Sequence, residues 1–284
     1  MGALPNLVVV GAPKCGTTSL HYYLSLHPQT SMSQPKELRF FAATVDPEPV
    51  SPESRHLVTG GPCNWHRGTD WYAEHFDADA PVRGEASPTY MAPWYPGVAQ
   101  RMADVIPEAK LIFCIRDPIE RAISHYVMES VHGQDRRTLS EALGDGRSPY
   151  VAYSRYEESL APYLSHFDHS RLMVVEHGEL LNQRRETMRG VFRFAGIDDA
   201  FWSSKMERQL NPTVKATTRR RIILLARRRL GIERVAKLPM GLRMVAERLS
   251  AAGNARPPLE LDPDVRARLE ADLMPGYERL RSSA

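Results

Sequence analysis

The stretch VVVGAPKCGTTSL, residues 8–20, carries the residue types of an anion-binding turn. Gly11 and Gly16 let the backbone pass close to a ligand, and Thr17, Thr18 and Ser19 supply hydroxyls at the first turn of the helix that follows. Successive N–H groups of such a turn point at one spot, where the helix dipole adds positive potential. Lys14, Cys15 and Gly16 complete the set of candidate contacts. Against the phosphate-loop pattern GxxxxGK[ST] both glycines fit, but Thr17 occupies the lysine slot and the lysine stands earlier, at Lys14. A lysine there can reach a bridging oxygen between two anionic groups, where negative charge grows as a leaving group departs. The alternative is a tight structural turn whose hydroxyls only cap the helix.

A triphosphate enzyme also needs ligands for Mg²⁺, commonly a loop hydroxyl and an aspartate ending another strand. A later apolar run instead ends CIRDP, with Arg116 before Asp117. The arginine raises the positive potential, while Asp117 is explained equally by pairing with it or by capping the next helix. These features favour a metal-free donor with several anionic groups over ATP. A nucleotide-dependent small-molecule kinase is the rival.

The elements that must position these residues are readable as alternation. Short runs at 6–10, 110–115 and 171–175 read as buried strands, 82–85, bracketed by Pro81 and Pro88, carries a further strand signal, and helical patterns fall at 17–26, 94–106, 119–130, 154–166 and 180–195. This predicts an α/β, P-loop-like three-layer fold, with a central parallel sheet flanked by helices and the active residues beyond the carboxyl ends of its strands. Residues 42–67, rich in Pro, Gly, Ser and His, are expected to form a surface excursion. Residues 213–252 look helical but are broken at Gly231, Pro239 and Gly241, and 254–258 reads as a turn or linker. The stretch 261–280 has proline at its first turn and apolar spacing at Val265, Leu269 and Leu273, as a terminal docking helix would. No internal repeat or domain boundary interrupts 1–284, which predicts a single domain.

The 284 residues are 42% hydrophobic and 25% charged, ordinary values for a globular chain. The formal charge of +3 conceals an uneven distribution. Between 213 and 243, ten basic residues, Arg219 to Arg221 and Arg227 to Arg229 among them, face Glu233 alone. Such an excess attracts an acidic substrate, a membrane surface or nucleic acid, or is simply a solvated helix face. No nucleic-acid reading module accompanies it, so no nucleic-acid partner is expected. Cys15, Cys63 and Cys114 are odd in number and lack metal-ligand spacing. With no leader pattern and no apolar run of membrane-spanning length, the expectation is a reducing, cytoplasmic location.

GAPKCGTTSL and CIRDPIERAISHY resemble the two cofactor signatures of the sulfotransferases that use 3'-phosphoadenosine 5'-phosphosulfate (PAPS). KELRFF at 36–41, GTDWYAEHF at 68–76 and GEASPTYM at 84–91 are similar to stretches of the branch containing the heparan sulfate sulfotransferases, and the similarity extends to about Gly196. The resemblance implies sulfuryl transfer to a hydroxyl or amine of a carbohydrate-like or small secondary-metabolite acceptor, releasing adenosine 3',5'-bisphosphate and requiring no metal. It implies that the 14–19 loop holds the 5'-phosphosulfate, that Arg116 and Ser124 hold the 3'-phosphate, that Lys14 stabilises the departing phosphate oxygen and that Glu37 is the general base. Each has its plain alternative: Lys14 a surface lysine, Ser124 a hydroxyl bonded to its own helix, Glu37 a solvated charge paired with Lys36 or Arg39. A catalytically silent nucleotide-binding protein is the further rival.

Other residues carry weaker expectations. Glu85, at a strand end, either holds Lys14 or faces the acceptor. Ala86 stands where the branch carries a lysine that touches an acidic sugar, with Arg83 or His66 as substitutes. Trp65, Trp71, Tyr72, Tyr90 and Trp94 are candidate stacking surfaces, though each is individually more typical of packing. Arg121 reads as helix-surface charge and His125 as core-edge packing. Within 213–256 no clean copy of the family's lysine- and glycine-containing closing loop is visible; Lys215, Arg219 and Arg220 are its candidate replacements in a mobile lid. A basic amphipathic helix that touches a membrane peripherally is the alternative.

Overall fold

The computed structural model describes residues 2–58, 63–131, 133–207 and 259–282. Its centre is a five-stranded, all-parallel sheet. The strands are β1 (Leu7–Gly11), β2 (Thr30–Met32), β3 (Val82–Ala86), β4 (Lys110–Ile115) and β5 (Leu172–Glu176), in the order β2-β3-β1-β4-β5. β1 is central and buried along its whole length, which is why its sequence is a continuous apolar run and not an alternating one. Its register is fixed by Val8 opposite Glu85 and Val9 opposite both Ala86 and Ile112.

The helices flanking the sheet are α1 (Thr17–Ser25), α2 (Gly68–Ala73), α3 (Val98–Val105), α4 (Pro118–Val131), α5 (Leu139–Gly144), α6 (Pro149–Ala152), α7 (Tyr156–Leu164), α8 (His177–Asn182), α9 (Arg184–Ala195) and α10 (Pro263–Ser282). The main core packs both faces of the sheet, and a second apolar cluster joins α4, α5, α6 and α10 through Ile119, Tyr126, Leu139, Tyr150, Leu269 and Leu273. The strand order switches at β1, with β2 and β3 on one side and β4 and β5 on the other, and the carboxyl ends of strands at such a switch are where α/β sheets bind ligands.

The architecture agrees with the pattern of apolar runs, with local differences. β2 was not anticipated: its three residues, Thr30, Ser31 and Met32, are too few and too polar to signal a strand. α3 begins four residues later than its pattern, because Pro96 and then Gly97 at φ 72 precede it. The helical stretch after β5 is two helices, divided at Gln183, whose φ −124 and ψ 34 are not helical. The 42–67 segment is no simple surface excursion: Val50, Ser51 and Ser54 are buried. Ser51 and Ser54 donate to Asp145 at the end of α5, and Arg137 also pairs with that aspartate. The basic 213–243 run, the 213–256 lid and Arg220 lie outside the described residues.

Candidate functional site

The turn from β1 to α1 is latched to β4 by the Ala12 N–H, which donates to the Cys114 carbonyl at 2.7 Å. Gly16 is the N-cap of α1 at φ 87, in the left-handed region that glycine enters without cost. A Cβ there would also come within 3.1 Å of His177 Cδ2 and 3.2 Å of Leu180 Cδ2, so those side chains would have to shift by a few tenths of an ångström to admit one. Thr17 is buried, Thr18 is exposed, and the buried Ser19 hydroxyl engages the Tyr23 phenol.

Among the described residues, Lys14 (φ 71) and Arg39 (φ 49) are the non-glycine residues with positive φ. One lies in this turn and the other beside Glu37, so backbone strain is concentrated at the two loops that face each other here. The Lys14 ammonium lies 3.7 Å from Met128 Sδ on α4. Burial and then the nearby Arg116 push its pKa below the usual lysine range; Arg121 adds to this and Glu129 opposes it. Three cations thus share one electrostatic neighbourhood.

Arg116 leaves the end of β4 with its side chain largely buried and pairs with Glu120 at 3.5 Å. Asp117 caps α4: its Oδ1 accepts from Ile119 N at 3.0 Å and Glu120 N at 2.9 Å, so of the two roles open to it capping holds. Ser124, also buried, precedes Met128 by one helical turn and so lies on the face of α4 that meets Lys14. Tyr156, which nothing in its local sequence marked, ties these pieces together. Its hydroxyl donates to the Arg116 carbonyl at 2.8 Å, accepts from the Arg116 N–H at 3.3 Å and lies 3.6 Å from Cys15 Sγ. Burial pushes the Cys15 thiol up to about 11, so its side chain is a packing group and not a nucleophile.

Glu37 is held between two cations, with Lys36 Nζ 3.0 Å from Oε1 and Arg39 Nη2 3.3 Å from Oε2. Lys36 also reaches the first turn of α1, donating to Thr17 Oγ1 at 3.4 Å. The backbone around Glu37 is pinned residue by residue. Lys36 O accepts from Ser33 Oγ and Ala86 N, Leu38 N donates to Glu85, and Arg39 N donates to Ser87 Oγ. Asn64 holds the Leu38 carbonyl at 2.7 Å. Phe40 and Phe41 are fully buried anchors, as their type suggested, and Phe40 stacks on Tyr72 at 4.2 Å.

Glu85 therefore neither holds Lys14 nor faces an acceptor. It is fully buried and accepts from Tyr72 Oη (2.5 Å), Tyr90 Oη (2.7 Å), Ser87 Oγ (2.7 Å) and Leu38 N (3.3 Å). Burial raises its pKa against the pull of these donors. Tyr72, Tyr90 and Trp94 are buried packing residues, whereas Trp65 and Trp71 are partly exposed beneath Arg101 and Arg67. Arg83 donates to Leu4 O and Ala80 O at the amino end of β3, the wrong end of the sheet to replace a lysine at 86. Arg121 is not surface charge. It is fully buried, and its guanidinium bonds Ser154 Oγ, Tyr150 O and the Pro13 carbonyl of the anion loop. His125 is buried as expected, its pKa lowered well below the imidazole range by burial and then by Arg121. Among the described residues no group of three or more His, Cys, Asp and Glu could hold a metal ion, and no helix is long and apolar enough to cross a membrane.

Comparison with known proteins adds an independent finding. The family model described as "Sulfotransferase family" matches residues 5–202, more than half of the chain. The bifunctional heparan sulfate N-deacetylase/N-sulfotransferase 2 of Homo sapiens is 27% identical over 242 residues, 72% of this chain and 25% of that protein. The membrane-associated sulfotransferase kil1 of Dictyostelium discoideum is 34% identical over 128 residues, 43% of this chain and 22% of that protein. The chain thus spans about a quarter of the length of these curated relatives. A sulfotransferase crystal structure from Alicyclobacillus acidocaldarius superposes with a TM-score of 0.59 at 26% identity, covering 85% of this chain and 99% of that one.

Proposed function

Because the chain belongs to the sulfotransferase family, we propose that it transfers a sulfuryl group from PAPS to a hydroxyl or amine of a carbohydrate-like or small secondary-metabolite acceptor. The observation that carries this reading is the grouping of Lys14 and Arg116 at the carboxyl ends of β1 and β4, with the buried Arg121 bonded to the Pro13 carbonyl of the same turn, joined through the Lys36–Thr17 contact to the loop that bears Glu37. An anion among cations offsets their repulsion, and these residues fit a donor with phosphates at both ends. Amides of the 14–19 turn with the Thr17 and Thr18 hydroxyls would receive the phosphosulfate, and Arg116 with Ser124 the 3'-phosphate. Bound there, PAPS supplies an activated sulfur on a phosphate leaving group.

The chain's own residues do the rest. Glu37 takes the acceptor's proton as a sulfur–oxygen or sulfur–nitrogen bond forms. Lys14 would stabilise the charge left on the bridging phosphate oxygen when its bond to sulfur breaks and the electron pair stays there. Glu85, Ser87 and Asn64 fix the loop from which Glu37 acts. The capping role of Asp117 argues against an Mg²⁺-dependent kinase.

Calorimetric titration tests the reading. Adenosine 3',5'-bisphosphate should bind without metal and tighter than ATP with Mg²⁺, and Glu37→Gln should leave that affinity unchanged while lowering turnover of sulfur-labelled PAPS by about 10²–10⁴-fold. Metal-dependent ATP binding with no bisphosphate binding would reject it, and unchanged turnover would remove Glu37 from the chemistry.

A further inference from the structure

We propose that Lys36 is a second catalytic cation, whose ammonium holds the sulfuryl oxygens as the group passes from the anion loop to the acceptor; this rests on the sulfotransfer reading above. Lys36 Nζ stands at the junction of the two halves of the site, 3.4 Å from Thr17 Oγ1 at the first turn of α1 and 3.0 Å from Glu37 Oε1. Its side chain is only 18% exposed. An ammonium has three donors, and among the described residues these two contacts use two of them, leaving one for a ligand oxygen. Its backbone is fixed too, since the Lys36 carbonyl accepts from Ser33 Oγ at 3.1 Å and Ala86 N at 3.3 Å.

The plainer reading is an ion pair that steadies Glu37. That task is already met on the opposite carboxylate oxygen by Arg39, and it gives no reason for Lys36 to reach across to Thr17. An ammonium spanning the donor loop and the base lies where a group transferred between them must pass. Lys36 remains protonated throughout. It donates an N–H to a non-bridging sulfuryl oxygen, while the acceptor's proton goes to Glu37 and the bridging electron pair stays on the phosphate oxygen.

The two nucleotides that differ only by the sulfuryl group separate these roles without needing the acceptor. Equilibrium affinities for PAPS and for adenosine 3',5'-bisphosphate should be measured in the cold, without acceptor, on wild type, Lys36→Met, Lys36→Arg and Glu37→Gln. One charge-assisted hydrogen bond gives wild type a preference for PAPS of about tenfold or more. Lys36→Met should erase the preference and keep bisphosphate affinity within about threefold, which also certifies that the variant is folded. Lys36→Arg should retain part of the preference, and Glu37→Gln should keep it whole. If Lys36→Met keeps the wild-type ratio, or Glu37→Gln loses it equally, Lys36 merely steadies Glu37 and the proposal fails while the sulfotransfer reading stands. Wild type that binds the bisphosphate with no preference for PAPS overturns the Lys36 role alone; wild type that binds neither overturns both.

Discussion

His21, on the buried face of α1, shows how a single side chain makes stability depend on pH. Its Nε2–H donates to the Ser33 carbonyl at 3.2 Å, and the Ser33 hydroxyl in turn holds the Lys36 carbonyl. Burial, and then the Lys36 charge, lower its pKa from the ordinary imidazole value to about 4. The unfolded chain therefore takes up a proton on His21 below about pH 6.5, whereas the folded one resists until about pH 4. Stability falls as pH drops through that window, by up to about 3 kcal/mol from this residue. His21→Gln keeps a donor for Ser33 without a titrating ring. Urea denaturation between pH 7 and pH 4.5 should show the variant losing less stability than wild type; parallel losses would contradict the assignment. Nothing around His21 in the sequence shows this, because its partners come from the next loop. Tyr156 was hidden for the same reason: its hydrogen bonds join segments far apart in the chain. The turn from β1 to α1 was legible because glycine and hydroxyl spacing marks a strand-to-helix turn locally.

At the scale of elements, a residue at a strand end takes its direction from the helix that follows. β4 and α4 do this through Asp117, which caps the first turn of α4 just beyond Arg116. Removing that cap in Asp117→Ala should cost about 1 kcal/mol of stability, within the 0.5–2 kcal/mol span of N-cap deletions. Affinity for adenosine 3',5'-bisphosphate should stay within about threefold, because the Arg116 backbone is still clamped by Tyr156. A metal ligand at this position would behave differently, with nucleotide binding collapsing and stability hardly moving, so thermal melts with and without the bisphosphate distinguish the two. Strands β1 and β4 could be read from their apolar runs, since burial on both faces leaves a continuous signal, whereas β3, VRGEA, was marked by its flanking prolines and β5 by a short apolar run although it is only partly buried. β2 could not, because a three-residue edge strand is defined by its neighbour and not by its own composition. The division between α8 and α9 at Gln183 escaped notice for a related reason: no proline or glycine stands there to announce it.

Across the whole molecule, the 259–282 segment returns to the body of the fold as α10 and closes the apolar cluster on the side of α4 formed by Ile119, Ala122 and Tyr126. Leu269 and Leu273 enter that cluster, and Tyr277 reaches the main core near Tyr156, with its hydroxyl donating to Glu176 Oε1 at 3.4 Å. Arg279 with Glu157 and Arg155 with Asp272 flank the seam, but as exposed pairs they add little beside the buried leucines. Leu273→Ala should then cost about 2–5 kcal/mol. In a domain of this size that lowers the melting temperature by roughly 5–15 °C. The ligand-induced increment is a separate quantity, because stabilisation by a bound molecule depends only on its concentration and its affinity for the folded state. Lys14 and Ser124 lie on the Met128 face of α4, away from the face that α10 covers, so a fixed concentration of adenosine 3',5'-bisphosphate should stabilise wild type and Leu273→Ala by the same free energy. Equal increments on unequal baselines would establish α10 as a stabilising buttress that leaves the anion site untouched; a lost increment would mean that its packing is transmitted through α4 to that site.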